Sequence, residues 1–232
     1  MEIHGFLKTT LLDYPGQVAC TVFTGGCNFR CPYCHNSGLV LSPKSLPLIS
    51  EETVFSHLKK RQGILDGVCI TGGEPTLQPD LEDFIRKIKS FGYLVKLDTN
   101  GSRPKILKSL CEQKLLDYVA MDIKHAPEHY ADVCNNPDFS IEPIQESVSY
   151  LLEGHIPYEF RTTVTRELHS IHDFEKIGAW IAGCDAYYLQ AYRESDEVIH
   201  PVFSSYIKEE LEEIRSILKK YISHVEIRGI DA

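Results

Sequence analysis

Three cysteines fall within one short run, Gly26-Cys27-Asn28-Phe29-Arg30-Cys31-Pro32-Tyr33-Cys34-His35-Asn36. At this chain's cysteine frequency, a trio at one stated spacing arises by chance on the order of 0.01 times per chain, so the run reads as a site. Short spacings let one loop wrap a compact metal centre, and thiolates are the ligands that iron–sulfur clusters use. The number of ligands matters more than the spacing. A cubane cluster has four irons, and three thiolates leave one iron free to take a substrate or cofactor. Two blander readings compete. A structural zinc needs a fourth ligand; His35, adjacent to Cys34, is poorly placed to share one tetrahedral metal, and there is no second Cys-x-x-Cys pair. An electron-transfer ferredoxin supplies four cysteines on a much shorter chain.

The elements that must hold this loop follow from periodicity. Val18–Thr24 reads as a strand that delivers the chain into it. Further strands are expected at Gly67–Thr71, Leu94–Thr99, Tyr118–Ile123, Tyr158–Val164 and Ala186–Gln190, with a possible last one at His224–Arg228. Between them lie expected helices at Glu51–Arg61 (with Ser50 as N-cap), Leu81–Ser90, Pro104–Gln113, Pro143–Glu153 and Ile171–Ala182. Ser204–Lys220 reads as a strongly amphipathic C-terminal helix. Six strands alternating with helices imply βαβ crossovers and a parallel sheet, either open or curled into a barrel. Both forms put chemistry at the carboxyl ends of the strands. There the sequence places Thr71-Gly72-Gly73-Glu74-Pro75, Asp98-Thr99-Asn100-Gly101 and Asp122-Ile123-Lys124, on the same rim as the cysteine loop.

The 232 residues suit one domain, 1–232, with its core at about 17–200 and a C-terminal helix and strand at 201–232. A net charge of −9 with scattered lysines and arginines offers no basic face for nucleic acid. No run is long and apolar enough for a membrane span, and the first residues lack a secretory pattern. A cytoplasmic protein is therefore expected. Eight cysteines without an export signal argue against a disulfide scaffold. The dispersed five (Cys20, Cys69, Cys111, Cys134 and Cys184) read as small buried hydrophobes. His125, His129, His169 and His172 show no metal-like grouping and read as surface residues.

The spacing Cys-x3-Cys-x2-Cys, with Tyr33 before the last cysteine, resembles that of the radical S-adenosylmethionine (SAM) superfamily, and Gly72-Gly73-Glu74-Pro75 resembles its GGE motif. That resemblance covers essentially the whole chain and implies an α/β fold, a partial (β/α)6 TIM-like barrel. Asp13-Tyr14-Pro15-Gly16, Phe23 to Asn36, Leu97 to Gly101 and Met121 to Lys124 are similar to segments of pyruvate formate-lyase activases. The chain as a whole looks most like the longer type of anaerobic ribonucleoside-triphosphate reductase activating proteins.

The resemblance implies one 4Fe-4S cluster on Cys27, Cys31 and Cys34, with SAM chelating the open iron. Reductive cleavage of SAM then gives a 5′-deoxyadenosyl radical, which takes a hydrogen atom from a glycine of a partner glycyl radical enzyme. A flavodoxin or ferredoxin type electron donor is implied as well. Gly72, Gly73 and Glu74 would receive the cofactor's ammonium, Glu74 acting either through its carboxylate or by shaping the turn. Tyr33 would border the adenine or else pack the loop. Asp98, Thr99 and Asp122 match positions that hold a monovalent cation in pyruvate formate-lyase activases; otherwise they cap turns. Lys124 is expected either to neutralise the cofactor carboxylate or to pair with Asp122. Arg161, mid-strand, is a candidate partner for the cofactor carboxylate or for Glu74; otherwise it faces the surface. One departure stands out: Gln190-Ala191-Tyr192-Arg193 occupies the place where activases carry Pro-Tyr-His. Radical chemistry on a small molecule is the alternative function, and a zinc or electron-carrier module a more distant one.

Overall fold

The computed structural model describes residues 1–230. Eight strands form one sheet in chain order: β1 (Ile3–Thr10), β2 (Ala19–Thr24), β3 (Gly67–Gly72), β4 (Leu94–Thr99), β5 (Tyr118–Asp122), β6 (Tyr158–Val164), β7 (Tyr187–Ala191) and β8 (Val225–Arg228). Strands β2 to β8 run parallel, and β1 pairs antiparallel with β2. The two edge strands do not pair with each other, so the barrel is partial. The six expected strands are β2 to β7, and the possible last one is β8. Strand β1 was not expected. As an edge strand it leaves most of its residues partly or fully exposed, so it lacks the apolar run that marks a buried strand.

The crossovers are α2 (Glu51–Lys60), α3 (Leu81–Ser90), α4 (Pro104–Glu112), α6 (Glu142–Leu152), α7 (Ile171–Trp180) and α8 (Lys208–Leu218). Two short helices, α1 (Ser37–Leu41) and α5 (Tyr130–Cys134), were not expected; five residues are too few for a periodic signal. Ser50 caps α2 by accepting from the Thr53 amide, as its type predicts. Leu81, Phe84, Ile85 and Ile88 form the buried stripe of α3. Helix α8 starts later than Ser204 because that stretch is held elsewhere: Arg166 N donates to Ser204 O at 3.0 Å, and Ser204 N donates to the Glu167 carboxylate. Among the described residues, no helix is long and apolar enough to cross a membrane.

Strand alternation divides the sheet into two unlike faces. Val22, Ile70, Leu97, Val119, Phe160 and Leu189 are fully buried and belong to the apolar core. The alternate positions carry Cys69, Lys96, Asp98, Asp122, Arg161 and Gln190, so the inner side of the curl is polar. Among the dispersed cysteines, Cys20, Cys69, Cys134 and Cys184 are buried as expected, and Cys111 is half-buried.

Candidate active site

The cysteine loop leaves β2 at Thr24 and is stitched to the turn after β3 by backbone bonds. Gly73 N donates to Thr24 O at 2.9 Å, and Glu74 N to Gly26 O at 2.8 Å. A Cβ on Gly73 would lie 1.9 Å from Gly26 O, so only glycine lets these two segments touch. On the far side the segment after β7 clamps the loop. Ile199 N donates to Cys34 O at 3.1 Å, and His200 N donates to Pro32 O at 2.8 Å. The result is a cavity of about 200 Å3 at the carboxyl ends of the strands. Cys27, Cys31, Cys34, Tyr33, Gly72 and Gly73 line it, together with Asp98, Thr99, Asp122, Lys124 and Arg161.

The expected site residues therefore converge, with one exception. Glu74 is completely buried and does not face the cavity. Its carboxylate accepts from Thr76 N at 3.1 Å, Thr99 Oγ1 at 2.8 Å and Asn100 N at 2.7 Å, and from the Thr76 hydroxyl. These bonds tie its carboxylate to the turn and to the end of β4, away from the cavity. Burial pushes the Glu74 carboxyl up, against hydrogen bonds that favour its charged form.

The inner strand faces bring a compact ion network to the cavity wall. Arg161 bridges two carboxylates, with Nε 3.0 Å from Asp122 Oδ1 and Nη1 3.1 Å from Asp98 Oδ2. Lys124 Nζ lies 2.9 Å from the other Asp122 oxygen, and Lys96 pairs with Asp98. Burial alone would raise Asp122, but Arg161 and Lys124 outweigh it and hold the carboxyl down at about 2. Asp98 is likewise held below the ordinary carboxylate range, by Arg161 and Lys96 against the opposing effect of burial. Three cations (Lys96, Lys124 and Arg161) thus face two carboxylates (Asp98 and Asp122), leaving one net positive charge. Arg161 does not pair with Glu74. Lys124 does pair with Asp122 and also lines the cavity.

These contacts bear on the expected monovalent cation. Asp98 and Asp122 are both occupied by protein cations, and the Thr99 hydroxyl donates to Glu74 and accepts from Gly101 N at 3.1 Å. The three residues do not form an open oxygen site, and they do not fit that ion as they stand.

The three thiols fit an iron–sulfur cluster. They line one cavity, and thiolates are the ligands that such clusters use. Burial pushes the Cys27 thiol up to about 12, with the Glu74 carboxylate adding to it, and burial also raises Cys34. Iron replaces those protons when it binds. Tyr33 is buried with its hydroxyl unpartnered, as a wall awaiting a polar ligand would be.

Several functional neighbours were missed. Lys96, 1% exposed, sits two residues before Asp98 on the same strand face, and period-two reading could have found it. Asn36 donates to Gly72 O at 2.9 Å, and Asn100 donates to Asn28 Oδ1 at 3.0 Å, which gives Asn28 a loop-holding role. Arg30 donates to Phe29 O at 2.8 Å within its own loop. The expectation for the histidines is corrected in part. His129 and His172 are at the surface, but His125 and His169 are buried and stacked with ring centroids 4.9 Å apart. His125 Nε2 lies 2.7 Å from Leu168 O and His169 Nε2 lies 2.9 Å from Lys124 O, so both serve the loops behind Tyr33. Only tertiary packing makes those bonds. At the departure after β7, Gln190 lines the cavity, Tyr192 packs on His35 at 5.5 Å between centroids, and Arg193 donates to Gly229 O.

Comparison with known proteins agrees with this geometry. The model of the Radical SAM superfamily matches residues 21–180. A protein of Methanocaldococcus jannaschii named "Putative glycyl-radical enzyme activating enzyme" is 32% identical over 235 residues, covering 99% of this chain and 96% of its own. The pyruvate formate-lyase-activating enzyme of Clostridium pasteurianum is 34% identical over 137 residues, 55% of this chain and 54% of that enzyme. The chain thus spans nearly all of the first relative and about half of the second. Among solved structures, a domain of pyruvate-formate lyase-activating enzyme from Bacteroides vulgatus matches with TM-score 0.57 at 20% identity, over 71% of this chain and 99% of that one. Streptococcus suis SuiB bound to precursor peptide SuiA matches with TM-score 0.71 at 12% identity, over 90% of this chain and 48% of that one. Both structures speak to the fold alone. Cysteine loop, glycine turn and relatives agree: the chain belongs to the radical SAM superfamily and, within it, to the glycyl-radical enzyme activating family.

Proposed function

We propose that this protein makes a glycyl radical on a separate anaerobic enzyme, the anaerobic ribonucleoside-triphosphate reductase. One observation carries the reading. Three cysteine sulfurs, the Gly72-Gly73 turn and a wall with one surplus positive charge meet in a single cavity. When bound there, the cluster and SAM supply a reducing electron and an adenosyl radical. Cys27, Cys31 and Cys34 hold the cluster. The Gly72 and Gly73 carbonyls receive the cofactor's ammonium, and Lys124 with Arg161 attracts its carboxylate. Tyr33 borders the adenine, and Glu74 fixes the turn from behind. The segment after β7, bonded to Pro32 and Cys34, closes the loop against water. A low-potential flavodoxin or ferredoxin is the matching electron donor.

Anaerobic reconstitution with iron and sulfide, followed by incubation with SAM, a strong reductant and the reductase, tests this. About four irons per chain, release of 5′-deoxyadenosine and a glycyl-radical signal by electron paramagnetic resonance are expected. Iron uptake and SAM cleavage with no such signal on the reductase would overturn the partner. The Gln190-Ala191-Tyr192-Arg193 departure favours a second reading, radical chemistry on a small molecule, and that outcome would support it.

A further inference from the structure

Strands β6 and β7 end side by side at the mouth, with Thr163 opposite Gln190 in register. Both residues line the cavity and are half-buried. Thr163 stands two positions beyond Arg161, so it shares the inner face of β6, one step nearer the opening. Gln190 begins the run Gln190-Ala191-Tyr192-Arg193 that departs from the activase pattern. The charged side chains around this pair are already committed. Arg161 bridges Asp98 and Asp122. Arg228, opposite Gln190 in register on β8, turns onto the Tyr188 ring and pairs with Glu159 at 3.0 Å. The Gln190 amide and the Thr163 hydroxyl, by contrast, make no hydrogen bond among the described residues.

Polar groups left unpaired beside a cavity are placed to meet a ligand. This pair lies three and four strands along the sheet from β3, whose Gly72-Gly73 turn is assigned to the cofactor's ammonium, and next to the edge strand β8. What it offers is neutral: an amide NH2 that donates, an amide oxygen that accepts, and a hydroxyl that does either. A glycine has no side chain, so an enzyme that selects a glycyl residue must read its peptide groups. A primary amide matches a peptide bond in kind, accepting from the N–H and donating to the C=O. We infer that Gln190 and Thr163 are substrate-binding residues that hold the backbone of the reductase's glycine segment by hydrogen bonds. This rests on the proposed glycyl-radical function and deepens it, by giving substrate recognition to the last residues of β6 and β7.

The test uses the reconstituted full-length protein and the anaerobic ribonucleoside-triphosphate reductase. SAM affinity is measured by equilibrium binding, and glycyl radical by electron paramagnetic resonance as the reductase concentration is varied. Gln190→Leu keeps the bulk and removes both hydrogen-bonding groups. It is expected to raise the reductase concentration for half-maximal radical formation about tenfold, with iron content and SAM affinity unchanged. Fewer glycyl radicals should also form per 5′-deoxyadenosine released, because a loosely held glycine is less often in place to react. Thr163→Val, nearly isosteric, should move both readouts the same way by about threefold. Parent-like values of both readouts in the variants that load iron would overturn the inference, while the parent's own radical signal keeps the glycyl-radical function. A loss of SAM affinity as large as the shift in reductase requirement would also overturn it, since the pair would then serve the cofactor. A parent that cleaves SAM without making a radical on the reductase would overturn the function and the inference together.

Discussion

The two ends of the partial barrel are built from the same strands yet do opposite things. At the mouth, the Asp98, Asp122, Lys96, Lys124 and Arg161 network carries surplus positive charge and opens onto a cavity. At the floor, the loop Asp13-Tyr14-Pro15-Gly16 folds under the curl and satisfies itself. Thr21 Oγ1 donates to Asp13 at 2.5 Å, and Tyr14 is 4% exposed with its ring 6.0 Å from that of Tyr118. Between floor and edge, Arg228 pairs with buried Glu159 at 3.0 Å and stacks on Tyr188. Polar residues inside a barrel do not by themselves mark a site. What distinguishes the mouth is a network with more cations than carboxylates, a buried Tyr33 hydroxyl without a bond, and thiols lining a cavity.

That contrast can be broken from the mouth first. Cys31→Ala should abolish cluster binding and lower SAM cleavage by more than about 100-fold, read as iron content and 5′-deoxyadenosine release. Retained cleavage would remove Cys31 from the ligand set. Gly73→Ala places a methyl group on the Gly26 carbonyl and should separate the glycine turn from the cysteine loop, with SAM affinity falling at least about tenfold by equilibrium binding. Its counterpart at the floor, Gly67→Ala, meets the Tyr14 ring at 3.0 Å and the Leu94 carbonyl at 3.1 Å, a far milder crowding than at Gly73. It should cost about 1 kcal/mol in urea unfolding and leave SAM affinity unchanged. Equal losses of affinity in the two variants would erase the distinction between the ends.

Arg161→Met leaves Asp98 and Asp122 short of a shared cation in a nearly dry wall, and about 3 kcal/mol of stability should go with it. Weaker SAM binding should follow, while Arg161→Lys, lacking the fork that bridges two carboxylates, should recover it only in part. The smallest effect concerns the wall behind Tyr33. Burial pushes His169 down to about 4, so below about pH 6.5 the unfolded chain takes up a proton that the folded chain refuses. Stability is therefore lost as pH falls from about 6.5 to about 4, by up to roughly 3 kcal/mol, and this loss levels off below that. His169→Gln should flatten that part of the curve; parallel curves for parent and variant would show that His169 does not carry it.

Much of this was legible in the residues. The cysteine spacing marked three candidate ligands, and β-branched runs alternating with amphipathic ones marked a parallel sheet, because both signals are local. The strand-end placement of Gly72, Asp98 and Asp122 followed from topology alone. Edge strand β1 and the five-residue helices were illegible, since exposure and shortness both erase periodicity.

The chain's own order of residues thus determined which atoms could bind a cluster and on which rim they would stand. Tertiary structure decided how their charges are shared. It turned Glu74 inward to four hydrogen bonds and set Arg161 between two aspartates rather than on Glu74. Those choices depend on distances between strands and helices far apart in sequence, and on the cost of leaving a buried charge unpaired. No local pattern encodes either quantity.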